Sequence, residues 1–264
     1  MERKLWKHLL SVREKSPLVH NITNYVVMNN TANTLLAVGA SPIMAHALPE
    51  IRDMVSLSRA LVINIGTLDD DWSRSMLAAA EAANELQRPW ILDPVGAGAT
   101  GYRDRLLAQL LELRPTVIRG NASEIMALAK QHIGRTKGVD STAMSQEAHE
   151  SAKSLVQQYG GVVSVSGKRD IIISEEGEHY LDNGHGLMAK VTGLGCSLTA
   201  LMGAFIGTVD NKTEAVLAAA AIFGVAGELA ASVSKGPGSL QVNLLDKLHN
   251  ITEDEFLQTV KLNH

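Results

Sequence analysis

The sequence predicts an α/β protein of 264 residues in one domain, 1–264: three α/β/α layers around a mostly parallel sheet, with antiparallel strands at an edge. Three observations carry this. Short apolar, strand-like runs alternate with helical patterns from Leu18 to Ser166. One of them, Ala60-Leu61-Val62-Ile63-Asn64-Ile65, is apolar almost throughout, the mark of a strand buried on both faces. Finally, Asp170–Ser174 and His179-Tyr180-Leu181 flank the turn Glu175-Glu176-Gly177, which reads as an antiparallel hairpin.

Taken in order, the chain opens with an amphipathic helix carrying Leu5, Trp6, Leu9 and Leu10 on one side, ending before Pro17. Leu18–Asn24 is a short strand running into a polar loop. Tyr25–Val38 has a helical pattern and stops at Gly39, a residue suited to a helix C-terminus. Ala40–Met44 is extended, and Pro49 begins a helix in the favoured first turn. Helices then follow over Asp70–Arg88 and Arg103–Leu113, with strands at Pro89–Asp93 and Thr116–Arg119. Asn121 and Glu124 have the spacing of a capping box at the next helix start. Gln131–Ser145 is polar and reads as a loop, before a helix to Tyr159 and a strand over Gly161–Ser166. Four helical patterns close the chain.

Composition narrows the function classes. A net charge of −4 leaves no basic footprint for nucleic acid or an anionic membrane surface. The single cysteine excludes an internal disulfide framework and agrees with a reducing cytoplasm. Residues 1–8 have no long apolar core and do not read as a secretory signal. Ala215–Val233 is apolar but rich in small residues and carries Glu228, so a buried helix is expected rather than a membrane span. The nine histidines lack ligand spacing; His179, Asp182 and His185 are expected to face solvent, and no zinc site is argued.

The chemistry is expected at strand ends, because open parallel sheets bind ligands beyond the carboxyl ends of their strands. Val191-Thr192-Gly193-Leu194-Gly195-Cys196 opens an apolar helix. Amides in that first turn lack helical partners, the helix dipole adds positive potential, and glycine admits an anion, so phosphate suits the turn. Cys196 falls in the same turn, where a thiolate is favoured. A Gly-x-Gly turn alone is common, and a lone cysteine is usually a small buried hydrophobe. The pattern sharpens with the glycine-rich loop Pro94–Gly101 after Asp93, with Gly120–Glu124 after Arg119, and with Gly167 after Ser166.

Asp93-Pro94-Val95-Gly96-Ala97-Gly98-Ala99-Thr100, Arg119-Gly120-Asn121-Ala122-Ser123-Glu124 and Thr192-Gly193-Leu194-Gly195-Cys196 together resemble the hydroxyethylthiazole kinases, a ribokinase-like family of thiamine salvage. His20–Asn24 and Ala40–Met44 are similar as well, and the collinear match runs from about Val19 to Phe205. The family usually reads Thr-Gly-Thr-Gly-Cys, where this chain has Leu194 in the middle. The resemblance implies transfer of the ATP γ-phosphate to the hydroxyl of 4-methyl-5-(2-hydroxyethyl)thiazole. It implies an anion hole formed by the amides from Gly193 through Leu194 and Gly195 to Cys196, with the Cys196 side chain beside the acceptor hydroxyl, where ribokinase relatives carry an aspartate base. It further implies Mg²⁺ near Asp93 and Glu124, ATP contacts at Arg119 and Ser166, and thiazole contacts at Asn24, Met44 and Gly193. Family members are trimers with pockets between subunits, which implies that Gly66-Thr67-Leu68 reaches a neighbour's site.

Other readings stay open at this point. Hydroxymethylpyrimidine or pyridoxal kinases and an ATP-dependent repair dehydratase share the fold, but they carry aspartate at the position of Cys196. A thiazole- or nucleotide-binding sensor without turnover would keep the same binding residues.

Overall fold

The apolar run becomes β3 (Ala60–Asn64), buried along its whole length. The computed structural model describes residues 1–133 and 141–263, with the side chains of 131–133 and 141–145 left aside. Before β3 come α1 (Glu2–Lys15), β1 (Leu18–Ile22), α2 (Met28–Ala37), β2 (Ser41–Ile43) and α3 (Ile51–Leu57). After it come α4 (Asp70–Glu85), β4 (Trp90–Asp93), α5 (Gly101–Glu112), β5 (Val117–Asn121) and α6 (Ala122–Ile133). Then follow α7 (Ser141–Tyr159), β6 (Val162–Ser166), β7 (Asp170–Ser174) and β8 (Gly177–Leu181). The chain ends with α8 (Leu194–Ile206), α9 (Lys212–Ser232), α10 (Pro237–Asn250), α11 (Glu253–Thr259) and β9 (Leu262–Asn263).

Among the described residues, these strands form one nine-stranded sheet in the order β2-β1-β3-β4-β5-β6-β7-β8-β9. Pairing is parallel from β2 through β6 and antiparallel from β6 through β9. The expected alternation and antiparallel edge are both present, and the layers are α/β/α.

Strand periodicity sorts the core into two. Val19, Val62, Ile91 and Val117 face α1, α2 and α8–α10, while Leu61, Ile63, Leu92 and Ile118 face α3–α7. The first face therefore continues at the carboxyl ends as Asn64, Asp93 and Arg119, the next residues in phase. This alternation lines the site up.

Several expectations change locally. Leu10 is 44% exposed and Val12 takes its place on the buried face of α1. The helix expected from Tyr25 starts at Met28, because Asn24 Oδ1 accepts from the Val26 N–H and shapes a turn first. The helix expected to Arg88 ends at Glu85, and Gln87 takes a left-handed φ of 53°. Strand β9 was not foreseen; two residues are too few to show a period. Of the loop expected over 131–145, α6 reaches Ile133 and α7 starts at Ser141, and 134–140 lie outside the described residues.

Helix α9 is the one described helix long and apolar enough to cross a membrane, but 78% of its apolar window is buried in the fold. Glu228 near its end is paired with Lys261 and accepts from Asn183. His179 and Asp182 are half-buried and His185 is exposed.

Candidate active site

The register of three adjacent parallel strands builds the site. Asn64 of β3 lies opposite Asp93 of β4, and β5 is set so that Arg119 follows in the same row. All three side chains are buried on the face covered by α8. The anion turn at the start of α8 sits over them. Gly193 caps α8 with φ 81°, a left-handed value that favours glycine. A Cβ there would lie 2.5 Å from Val27 Cγ1, so space and backbone both demand glycine. The first internal bond runs from Ser197 N to Gly193 O (2.9 Å), and helix geometry leaves the N–H groups of Leu194, Gly195 and Cys196 without helical carbonyls.

Asp93 is 1% exposed. Its Oδ2 accepts from Asn64 Nδ2 (2.6 Å) and from Thr199 Oγ1 (2.8 Å). Burial pushes its pKa up; the Arg119 charge and the Thr199 hydrogen bond pull the other way. Glu124 lies near enough to oppose the Asp93 charge. The expected capping box forms: Asn121 Oδ1 accepts from Glu124 N (3.0 Å), and Glu124 Oε2 accepts from Asn121 N (2.9 Å). Glu124 Oε1 also accepts from Gly96 N (3.1 Å), tying the glycine loop after β4 to the start of α6. Its capping and its approach to Asp93 coexist.

Arg119 is 7% exposed, yet its Nε has no partner and it forms no ion pair among the described residues. Its Nη2 donates to Ser166 Oγ (2.7 Å). Its Nη1 lies against Gly195, where a Cβ would come within 2.8 Å. A buried guanidinium held beside free helix-terminal amides invites an anion. Arg119, Ser166 and Gly195 line a cavity of about 690 Å³ together with the apolar Leu194, Leu198, Ala220 and Phe223. That volume lies within the usual range of about 300–1,000 Å³ for small-molecule sites. Leu194 is buried in this wall, so the chain offers only its backbone at the position where threonine is usual.

Cys196 is half-buried, in the third position of α8. The thiolate expected there is not favoured. Burial, and then the Asp93 charge, push its pKa up to about 11, outweighing the helix dipole. Asn24 Nδ2 donates to its sulfur (3.7 Å) and to Asn64 Oδ1 (2.8 Å).

The structure thus brings Asn24, Asp93, Cys196 and the glycine turn into one network, with Arg119 and Ser166 adjoining and Glu124 bordering it. Met44 is not part of this network; it is half-buried at the carboxyl end of the edge strand β2, two strands from Asn64. Three residues were missed. Asn64 ends an apolar run with a polar side chain, a signal that was present; Thr199 is hidden in an apolar helix. Arg103 donates to the carbonyls of Val95 (2.9 Å), Gly66 (2.9 Å) and Ile65, latching the loops after β3 and β4 together.

Two carboxylates, with no group of three or more His, Cys, Asp or Glu able to hold a metal among the described residues, do not make a protein cage. They suit Mg²⁺, which keeps waters and binds through one or two carboxylates plus substrate phosphates.

The fold is ribokinase-like. Pyridoxal kinase from Staphylococcus aureus, solved with pyridoxal, matches at TM-score 0.65 and 15% identity over 94% of this chain and 97% of that one, a likeness of fold alone. The family is defined by closer relatives. The model of the hydroxyethylthiazole kinase family matches residues 9–254. Hydroxyethylthiazole kinase from Syntrophus aciditrophicus is 50% identical over 258 residues, 97% of this chain and 96% of that protein. The hydroxyethylthiazole kinase structure from Pyrococcus horikoshii matches at TM-score 0.92 and 42% identity, covering 99% of this chain and 98% of that one. This chain belongs to the hydroxyethylthiazole kinase family.

Proposed function

We propose that this chain transfers the γ-phosphoryl group of ATP to the hydroxyl of 4-methyl-5-(2-hydroxyethyl)thiazole, the kinase step of thiamine salvage. The observation that carries the reading is the buried Arg119 guanidinium, its Nε without a partner among the described residues, beside the free amides of α8 in the lining of the 690 Å³ cavity. Phosphoryl transfer passes through a loose transition state, so positioning and charge stabilisation do most of the work. Arg119, steadied by Ser166, holds nucleotide phosphate, and the amides of Leu194, Gly195 and Cys196 receive the migrating group. Asp93 and Glu124 would hold Mg²⁺, in part through water, and the ion would supply charge neutralisation at the nucleotide phosphates.

Asn24 and Met44 take the thiazole on the strength of the family resemblance, with Gly193 at the pocket border. The acceptor oxygen attacks phosphorus, ADP leaves, and the hydroxyl proton passes late to an oxygen of the transferred phosphate, once bond formation has acidified it. Cys196 is a neutral thiol at pH 7, so it orients the alcohol rather than serving as a strong base. Cys196→Ser therefore retains measurable turnover, and Cys196→Asp tests whether the carboxylate of the wider fold family substitutes.

A coupled ADP-release assay with hydroxyethylthiazole, hydroxymethylpyrimidine and pyridoxal decides the reading. Turnover with the thiazole alone is expected; tight binding without ADP release would instead make the protein a sensor. We also infer one kinase domain over residues 1–264, a cytoplasmic setting, and a homotrimer with sites at subunit interfaces. The exposed apolar residues Tyr25, Val26, Leu36 and Val242, on or before α2 and on the adjoining α10, support an assembly. Light scattering after size exclusion tests it, and a monomer refutes it.

A further inference from the structure

Two backbone amides define how the side-chain amides of the site are turned. An N–H can only donate, so Val26 N (3.1 Å) identifies Oδ1 of Asn24, and Gly66 N (3.0 Å) identifies Oδ1 of Asn64. Both Nδ2 groups must then point the other way. Asn24 Nδ2 reaches Asn64 Oδ1 (2.8 Å) and the Cys196 sulfur (3.7 Å). Asn64 Nδ2 reaches Asp93 Oδ2 (2.6 Å). The polarity runs one way, from the Val26 and Gly66 amides, through the two asparagines, to the carboxylate.

Asn64 is the joint of this chain. It is 1% exposed, on a strand lying between β1, which leads into Asn24, and β4, which carries Asp93. Its acceptor end serves the loop sides (Asn24 and Gly66), and its donor end serves the carboxylate and also faces the Cys196 sulfur. With Thr199 it loads both donors onto one oxygen of Asp93, so a single carboxylate rotamer is selected. No other standard side chain of this size presents both an acceptor and a two-hydrogen donor.

We propose that Asn64 is the positioning residue that couples the two halves of the site, holding the Asp93 carboxylate and the Asn24–Cys196 pair in one fixed spatial relation through the opposite ends of its amide. This rests on the kinase reading above. The two ends act on different substrates. The donor end, through Asp93, governs the phosphoryl-transfer side; the acceptor end, through Asn24, governs the thiazole side.

Asn64→Asp separates the ends, because it keeps an acceptor for Gly66 and Asn24 but faces Asp93 with an oxygen in place of the donor. Asn64→Leu removes both ends at similar volume. For Asn64→Asp the expected result is a kcat lower by about 100-fold, with the thiazole KM within about threefold of the parent. For Asn64→Leu the thiazole KM also rises, by about tenfold. The Kd for hydroxyethylthiazole by calorimetry follows the same split without needing turnover. If Asn64→Leu does not fold by circular dichroism, Asn64→Ala, which also lacks both ends, replaces it under the same criteria.

Equal loss of kcat and thiazole affinity in Asn64→Asp would reduce the residue to scaffold and overturn the proposal. So would a kcat within about threefold of the parent in both variants. An unsubstituted protein that fails to turn over the thiazole overturns the kinase reading instead, so the two failures are separable.

Discussion

Two polar networks stand on the same sheet and behave differently. At the carboxyl edge of β3–β5, Asn64, Asp93 and Arg119 are almost wholly buried. On the antiparallel side, Glu178 of β8 pairs with His149 (2.7 Å) and Lys153 (2.8 Å) and accepts from Tyr180 (2.7 Å), while its side chain stays 28% exposed. Burial drives the Asp93 pKa up; hydrogen bonds from Lys153, His149 and Tyr180 draw Glu178 down to about 2. The carboxylate with the more complete set of partners is thus the one with less to do. Glu178 is satisfied by its neighbours and by water, and it pins α7 to the hairpin. Asp93 and Arg119 instead sit in a dry setting, with polar capacity left for a ligand. Spare polar capacity under burial separates the site from a structural network of similar chemistry.

The sharpest way to break this comparison is Asp93→Asn, which keeps shape and removes charge. A kcat loss of about 1,000-fold is expected in the ADP-release assay, and near-parental turnover would remove Asp93 from the site. Arg119→Ala comes next, with about 100-fold lost from kcat/KM for ATP. Gly195→Ala should move the same way more weakly, since its Cβ would press to 2.8 Å on the Arg119 guanidinium.

Cys196 sharpens the contrast through pH. Its pKa rises from 9.0 to about 11 on folding, so between these values the unfolded chain releases a proton that the native state keeps. Its contribution to stability is complete below pH 9 and is lost as pH rises toward about 11. Alkylation by iodoacetamide should be slow at neutral pH and climb with a midpoint near pH 11, and a midpoint near 8 would contradict the buried-thiol geometry.

The smallest effect belongs to the exposed network. The Glu178 pKa is lowered from 4.5 to about 2, so its stabilising contribution is complete above pH 4.5 and is lost as pH falls toward 2. Glu178→Gln should leave neutral-pH turnover unchanged and make acid unfolding less steep in that window, as followed by circular dichroism. A large loss of turnover would show that this edge is coupled to the site.

What the sequence determined alone was local. Strand and helix periods, the Asn121–Glu124 capping box and the Gly-x-Gly turn that opens α8 depend on residues a few positions apart, and all were legible. So was the placement of Asp93 at the end of its strand, where parallel sheets put ligands, whereas the strand expected to stop at Arg119 runs on to Asn121 because pairing with β6 continues there. The tertiary structure decided the rest. Asn64 and Asp93 are 29 residues apart and Thr199 is 106 beyond Asp93, so their shared oxygen depends on strand register and helix docking, which no spacing records. The state of the Cys196 thiol was misjudged for the same reason: helix position favours a thiolate, but desolvation and a carboxylate brought from another strand decide against it.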